Sequence, residues 1–172
     1  MGRGETSWHG PPVRATMVVV PISRLHETDV DALRGFLTDV DLTVAGLDEP
    51  AVHLWVERDE HGEIVGSTGI ELSADGRHAL VRSVAVAPGH RGSGRGARLA
   101  EHALAEAAAR GATRAWLFSR RSGPFWQGLG FSRADRSELA ASLPDTQQVR
   151  LFARTGLLDH EVAWSRPLSP GG

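Results

Sequence analysis

The stretch Val84 to Leu99, VAVAPGHRGSGRGARL, decides the reading of this chain. An apolar run meets Pro88, four glycines follow within residues 89–96, and a helical pattern starts without delay. Glycine lets backbone N–H groups converge with no Cβ in the way. A helix N-terminus adds partial positive charge. Together they predict an anion cradle, most simply for a phosphate or pyrophosphate. Arg91, Arg95 and Arg98 add side-chain charge around it.

Downstream of the cradle, Arg95 to Arg110 is Ala-rich, free of proline and stopped by Gly111, which predicts a helix. Its Leu99, Ala100, Ala103, Leu104, Ala107 and Ala108 share one side, and their small size predicts close contact with a sheet. Ala115 to Ser119 reads as a buried strand and Pro124 to Leu129 as a short helix closed by Gly130. Phe131 begins another strand, Glu138 to Leu143 forms one more helix, and His160 to Arg166 a last strand.

Upstream, Val52 to Glu57 alternates, with Val52, Leu54 and Val56 on one face. Ile64 to Leu72 and His78 to Ala87 follow after the turns Asp59-Glu60-His61-Gly62 and Ala74-Asp75-Gly76. Turns this short predict an antiparallel meander. Earlier still, Val18 to Ile22 reads as a strand. Thr28 to Asp31 starts a helix striped by Val30, Leu33 and Leu37. Leu42 to Leu47 is a short helix or a loop. The long helix after the third meander strand allows a right-handed parallel crossover to the next one. The fold class is α+β with a mixed sheet. The expected organisation is a flexible leader over 1–16, one domain over 17–168 and a tail over 169–172, with Met17 an alternative start.

Composition narrows the chemistry. The 172 residues suit one domain with a sizeable core. There is no Cys, Lys, Asn or Tyr, and all 19 cationic side chains are Arg. This is the mark of a GC-rich coding sequence, and it removes thiolate metal sites, a Cys nucleophile, a Schiff-base lysine and a tyrosine acid. The net charge of −2 argues against unspecific nucleic-acid binding. No apolar run approaches the ~20 residues of a membrane span. A cytoplasmic protein is expected, without a metal, as a monomer or homodimer.

Three phosphate-binding patterns compete for the cradle. A Walker-type loop ends in Gly-Lys-Ser/Thr and fails for want of Lys. Gly92, Gly94 and Ala97 fit the dinucleotide spacing G-x-G-x-x-A, the mark of an NADP-binding reductase. Yet that fingerprint follows its strand directly, whereas Ala87 to His90 intervene here. The third pattern, Arg-x-x-Gly-x-Gly, is met by Arg91, Gly94 and Gly96.

With that pattern the chain resembles the GNAT family of N-acetyltransferases, over about Val18 to Leu168. Val84-Ala85-Val86 looks like the family's fourth strand, and Phe125 to Phe131, FWQGLGF, like its second motif, aromatic-x-x-x-Gly-Phe. The resemblance implies acetyl-CoA as co-substrate. Its pyrophosphate would lie on the N–H groups of Arg91, Gly92, Ser93, Gly94, Arg95 and Gly96. Its pantetheine arm would add as a pseudo-strand to Val84, Ala85 and Val86, where strands 4 and 5 splay. A backbone N–H there would polarise the thioester carbonyl. Phe125 and Trp126 would flank the cofactor.

Within the family, Gly69-Ile70-Glu71 and Leu80 to Val86, LVRSVAV, resemble arsenic-operon acetyltransferases and the acetyltransferase domain of N-acetylglutamate synthase. Arg82, Arg120 and Arg121 suggest an acidic group on the acceptor, since Arg pairs bidentately with carboxylate, and the resemblance points the same way, to a small amino acid or analogue bound at Arg82, Ser83 and Arg120. Arg120 and Arg121 also suit the 3′-phosphate of CoA. Glu71 is the first candidate base, with His78 and His90 behind it. The family's usual Tyr acid lies four residues before the Gly of Gly-Phe, where this chain has Trp126. Ser119, Ser122 or solvent is left to protonate the thiolate. A non-catalytic acyl-CoA sensor is the alternative that the missing Tyr supports.

Overall fold

A computed structural model describes residues 21–169 of the chain. The leader, Met17 and most of the strand expected at Val18–Ile22 lie outside these residues. The first strand within them is β1, Ser23–Arg24. Then come α1 (Val30–Asp39), β2 (Val52–Arg58), β3 (Ile64–Leu72) and β4 (His78–Val86). Next are α2 (Arg95–Ala109), β5 (Arg114–Phe118), α3 (Gly123–Gly128) and β6 (Ser132–Ala134). The described chain closes with α4 (Arg136–Ser142), α5 (Gln147–Thr155) and β7 (Ala163–Pro167). Leu42 to Leu47 is loop and turn.

The seven strands form one sheet in the order β1-β2-β3-β4-β5-β7-β6. Neighbours pair antiparallel except β4 and β5, which run parallel across the α2 crossover. Alternation along β2 sends Val52, Leu54 and Val56 to a cluster with Leu33 and Leu37 of α1. It sends Trp55 to the opposite face, into the cluster holding Ala100, Ala103, Leu104 and Ala107 of α2. The alanine face of α2 lets the helix lie directly on β3 and β4. A third cluster packs Leu80, Trp116 and Ala163 under Leu139 of α4, Leu143 at its C-terminal cap and Val149 of α5. Helices therefore cover both faces, α2 and α3 on one, α1, α4 and α5 on the other.

Sequence patterning missed α5. It starts after Thr146 and ends at Gly156, whose φ of +77° suits the left-handed turn that stops a helix. It buries only Val149 and Phe152, three residues apart. No helix among the described residues is long and apolar enough to cross a membrane.

Candidate active site

The site begins where two strands part. The parallel β4–β5 ladder joins His78 to Arg114, Ala79 to Ala115 and Leu80 to Trp116, and goes no further. Beyond Leu80, β4 continues to Val86 with no strand among the described residues on its β5 side. A backbone edge of about six residues is thus open to another extended chain.

A bulge shapes this edge. The β3–β4 register shifts between Ser67/Ala85 and Gly69/Arg82, so Thr68 faces the extra residue. Ser83 sits in the bulge with φ +58°, a left-handed backbone that costs a non-glycine residue about 1 kcal/mol or more. Two bonds hold it there. The buried Ser67 hydroxyl donates to the Ser83 carbonyl at 2.6 Å, and Arg82 Nε donates to Ser83 Oγ at 3.2 Å. A bulge re-aims local backbone groups, here beside the open edge at Val84, Ala85 and Val86.

Past Val86, residues 88–90 make one 3-10 turn and the glycine loop leads into α2. Gly94 caps α2 with φ +78°. The first helical bond there runs from Arg98 N–H to the Gly94 carbonyl, leaving the N–H groups of Arg95, Gly96 and Ala97 without a helical acceptor. A Cβ placed at Gly92 or Gly94 would meet nothing within 4 Å, so the space above the loop is open to phosphate oxygens. A Cβ at Gly96 would lie 3.6 Å from Phe125 and 3.8 Å from Val86. The end of β4, the start of α2 and the aromatic of α3 therefore converge at the cradle. These residues fit a pyrophosphate carried by an extended arm.

The arginines of the loop are less free than the sequence suggested. Arg98 bonds Glu57 and Arg95 approaches it at 3.8 Å, under the first turns of α2. Glu57 is 1% exposed. Arg91 donates from Nε to the Val86 carbonyl at 3.0 Å, closing the loop onto the end of β4. Backbone N–H groups and the helix terminus, more than guanidinium groups, make up the cradle.

Glu71 and Arg82 lie on the α5 side of the sheet. Glu71 is 2% exposed, and its Oε2 accepts from Arg82 Nη1 at 3.0 Å. Its Oε1 accepts from Gln147 N–H at 2.6 Å, so the carboxylate also anchors the first turn of α5. Burial pushes the Arg82 guanidinium down from its ordinary value, and Glu71 opposes the shift. Arg82 Nη2 is buried with no hydrogen-bond partner among the described residues. His78 Nδ1 accepts from Trp116 Nε1 at 3.0 Å, a packing role at the paired end of β4. His90 ends the 3-10 turn on the cradle side.

The other wall of the split is the end of β5. Ser119 N–H donates to the Val162 carbonyl at 2.9 Å, and its Oγ accepts from Ser122 N–H at 3.2 Å. Arg120 follows, half-exposed, with Nε 3.5 Å from Glu161. Trp126 is 7% exposed and packs edge-to-face with both Phe125 and Phe131 in the α2-side core. The residue at the Tyr position is thus enclosed by aromatic rings. Glu57, Ser67 and Glu161 were not visible as site residues in the sequence, because strand register and loop closure bring them there.

The family model described as Acetyltransferase (GNAT) family matches residues 22–131. No protein of curated function matches the sequence. Several solved structures share the fold. An acetyltransferase of Staphylococcus aureus Mu50 superposes with TM-score 0.70 at 15% identity, over 88% of this chain and 100% of that one. Rv2747 of Mycobacterium tuberculosis, in complex with CoA, gives 0.69 at 18% identity over 87% and 99%. N-acetylglutamate synthase of Neisseria gonorrhoeae, in complex with coenzyme A and N-acetyl-glutamate, gives 0.67 at 18% identity over 88% of this chain. This chain spans 36% of that synthase. The split fourth strand, the glycine cradle and the matched family model lead to one conclusion: the chain belongs to the GNAT acetyltransferases, whose co-substrate is acetyl-CoA.

Proposed function

We propose that the protein moves the acetyl group of acetyl-CoA to the primary amine of a small, carboxylate-bearing acceptor, by direct attack within a ternary complex. The observation that carries this reading is the open β4 edge running straight into the cradle. Pantetheine amides pair with Val84 to Val86, and the pyrophosphate rests on the start of α2. The bulge aims a β4 N–H at the thioester oxygen, where negative charge develops. Binding both reactants on one strand supplies much of the rate through alignment.

On the acceptor side Arg120 offers an exposed guanidinium, while the Arg82 side chain of β4 is fully enclosed and keeps one nitrogen without a hydrogen-bond partner among the described residues. Guanidinium pairs well with carboxylate. The N-acetyl-glutamate held by the gonococcal synthase supports the same acceptor class. Glu71 then acts as a positioning residue, holding Arg82 in place and α5 against the sheet. The Ser119 hydroxyl or solvent protonates the leaving thiolate, whose thiol has an ordinary pKa of about 8.5.

A second reading, an acyl-CoA sensor without turnover, is favoured by Trp126 standing buried at the acid position. One assay separates the two. Thiol release from acetyl-CoA is followed with amino acids and with matched amines that lack the carboxylate. Faster release with the carboxylate acceptors supports the proposal. Equal rates remove the carboxylate, and no release with any amine favours the sensor.

A further inference from the structure

The ternary-complex reading needs a group to take the proton of the attacking amine, and the sequence's first choice, Glu71, has its oxygens engaged. Oε1 holds Gln147 N–H at 2.6 Å, Oε2 holds Arg82 Nη1 at 3.0 Å, and the residue is 2% exposed. A base must also meet the amine, and a side chain this enclosed between Arg82 and the start of α5 has almost no surface to offer it.

The opposite wall offers another. The bond from Ser119 N–H to the Val162 carbonyl is the last joining the β5 and β7 arms, and immediately outside it stand Arg120 and Glu161. Glu161 has φ −83° and ψ 157°, an extended backbone, so side chains alternate from it into β7. Two residues on, Ala163 packs into the cluster under α4 and α5. Glu161 therefore faces the same side of the sheet as Leu80 and, by the same alternation, Arg82. Its side chain is 10% exposed, and the Arg120 contact at 3.5 Å is its ion pair. Its backbone carbonyl accepts from Arg136 Nη1 of α4 at 3.2 Å, and Arg136 also reaches the Asp159 carbonyl, which pins the segment.

We infer that Glu161 is the general base of the transfer, facing the acceptor amine from the β5–β7 wall across from the open edge of β4. The nitrogen forms its bond to the thioester carbon as its proton passes to a Glu161 oxygen. The C–S electron pair then leaves with sulfur, the thiolate takes a proton from solvent or through the Ser119 hydroxyl, and Glu161 releases its own to solvent. The local electrostatics agree. Burial pushes the Glu161 carboxyl above the usual carboxylate range, and the Arg120 charge opposes this. A base displaced upward accepts a proton more readily near neutral pH. Charged groups on the neighbouring segments include Arg136, which bonds backbone carbonyls, Arg121 beside Arg120, and the exposed Asp159 and His160 of the preceding turn.

The inference rests on the transfer reading above, so wild-type turnover is established first with the best acceptor found. Glu161→Gln should then lower turnover by about 10²-fold at pH 7, with acetyl-CoA affinity unchanged, and the deficit should shrink at high pH. Arg120→Gln removes the charge that holds the carboxyl down, so the acid limb of kcat should move to higher pH. A purely structural Glu161 would leave that limb in place. Near-wild-type turnover in Glu161→Gln overturns the inference, and so does an unmoved acid limb in Arg120→Gln. A wild-type protein that transfers no acetyl group refutes the transfer reading instead.

Discussion

Glu71→Gln separates a brace from a base. The substitution keeps shape and removes charge. Arg82, whose side chain is 0% exposed, would be left without its counter-charge. The new amide would also direct donors at the Arg82 guanidinium or at Gln147 N–H, two groups that themselves donate. Removing one partner of a buried pair costs about 3–5 kcal/mol. That is a large share of the ~5–15 kcal/mol that holds a domain together. At about 2–4 °C per kcal/mol for a chain of this size, Tm should fall by roughly 6–20 °C. Replacing both partners, Glu71→Leu with Arg82→Met, removes the stranded charge and should recover most of the loss. Denaturant unfolding and scanning calorimetry of the single and double variants read this directly. A single variant within about 1 kcal/mol of wild type that has lost turnover would refute the reasoning and return Glu71 to the chemistry.

Other substitutions probe the remaining parts. Gly96→Val should weaken acetyl-CoA binding by about tenfold or more, some 1.4 kcal/mol, in a folded protein, since its Cβ lies at ordinary contact distance from Phe125; an unchanged Kd in calorimetry would remove the cradle from the site. Gly94→Val should in addition lower Tm, because φ +78° strains any branched residue. Ser67→Ala should lower turnover about tenfold, a fraction of the loss of an oxyanion donor, by releasing the Ser83 carbonyl. In a Ser83→Gly background, where φ +58° costs nothing, the same change should do little; equal effects in both backgrounds would contradict the bulge's role. Trp126→Tyr should cost about 1–3 kcal/mol through the void it leaves, with specific activity retained; a gain in turnover without loss of Tm would place the ring at the sulfur.

Local signals in the chain announced much of this architecture. The meander was legible because its two tight turns and two-residue alternation agree with each other, and α2 because its alanines, its proline-free run and Gly111 mark both stripe and stop. The cradle was legible because glycine spacing is itself the functional signal. What stayed hidden depends on contacts between distant residues. Glu71 reads as a free strand carboxylate until the β3–β4 register sets it diagonally across from Arg82. Arg95 and Arg98 read as charge around the phosphate until Glu57, about forty residues earlier, is seen beneath them. The helix α5 has polar residues over most of its surface, and its anchor is a side chain on another element. Glu161 precedes a short strand, and only the pairing of β5 with β7 carries it to the mouth of the split.

Calorimetric titration of the whole chain with acetyl-CoA, run beside Gly96→Val, tests the central claim most directly, that the open β4 edge and the α2 cradle together hold the acetyl donor. The account predicts saturable one-to-one binding to the wild type and a markedly weaker isotherm for a variant whose Tm is preserved. No binding heat across a range of temperatures, or two identical isotherms, would contradict it.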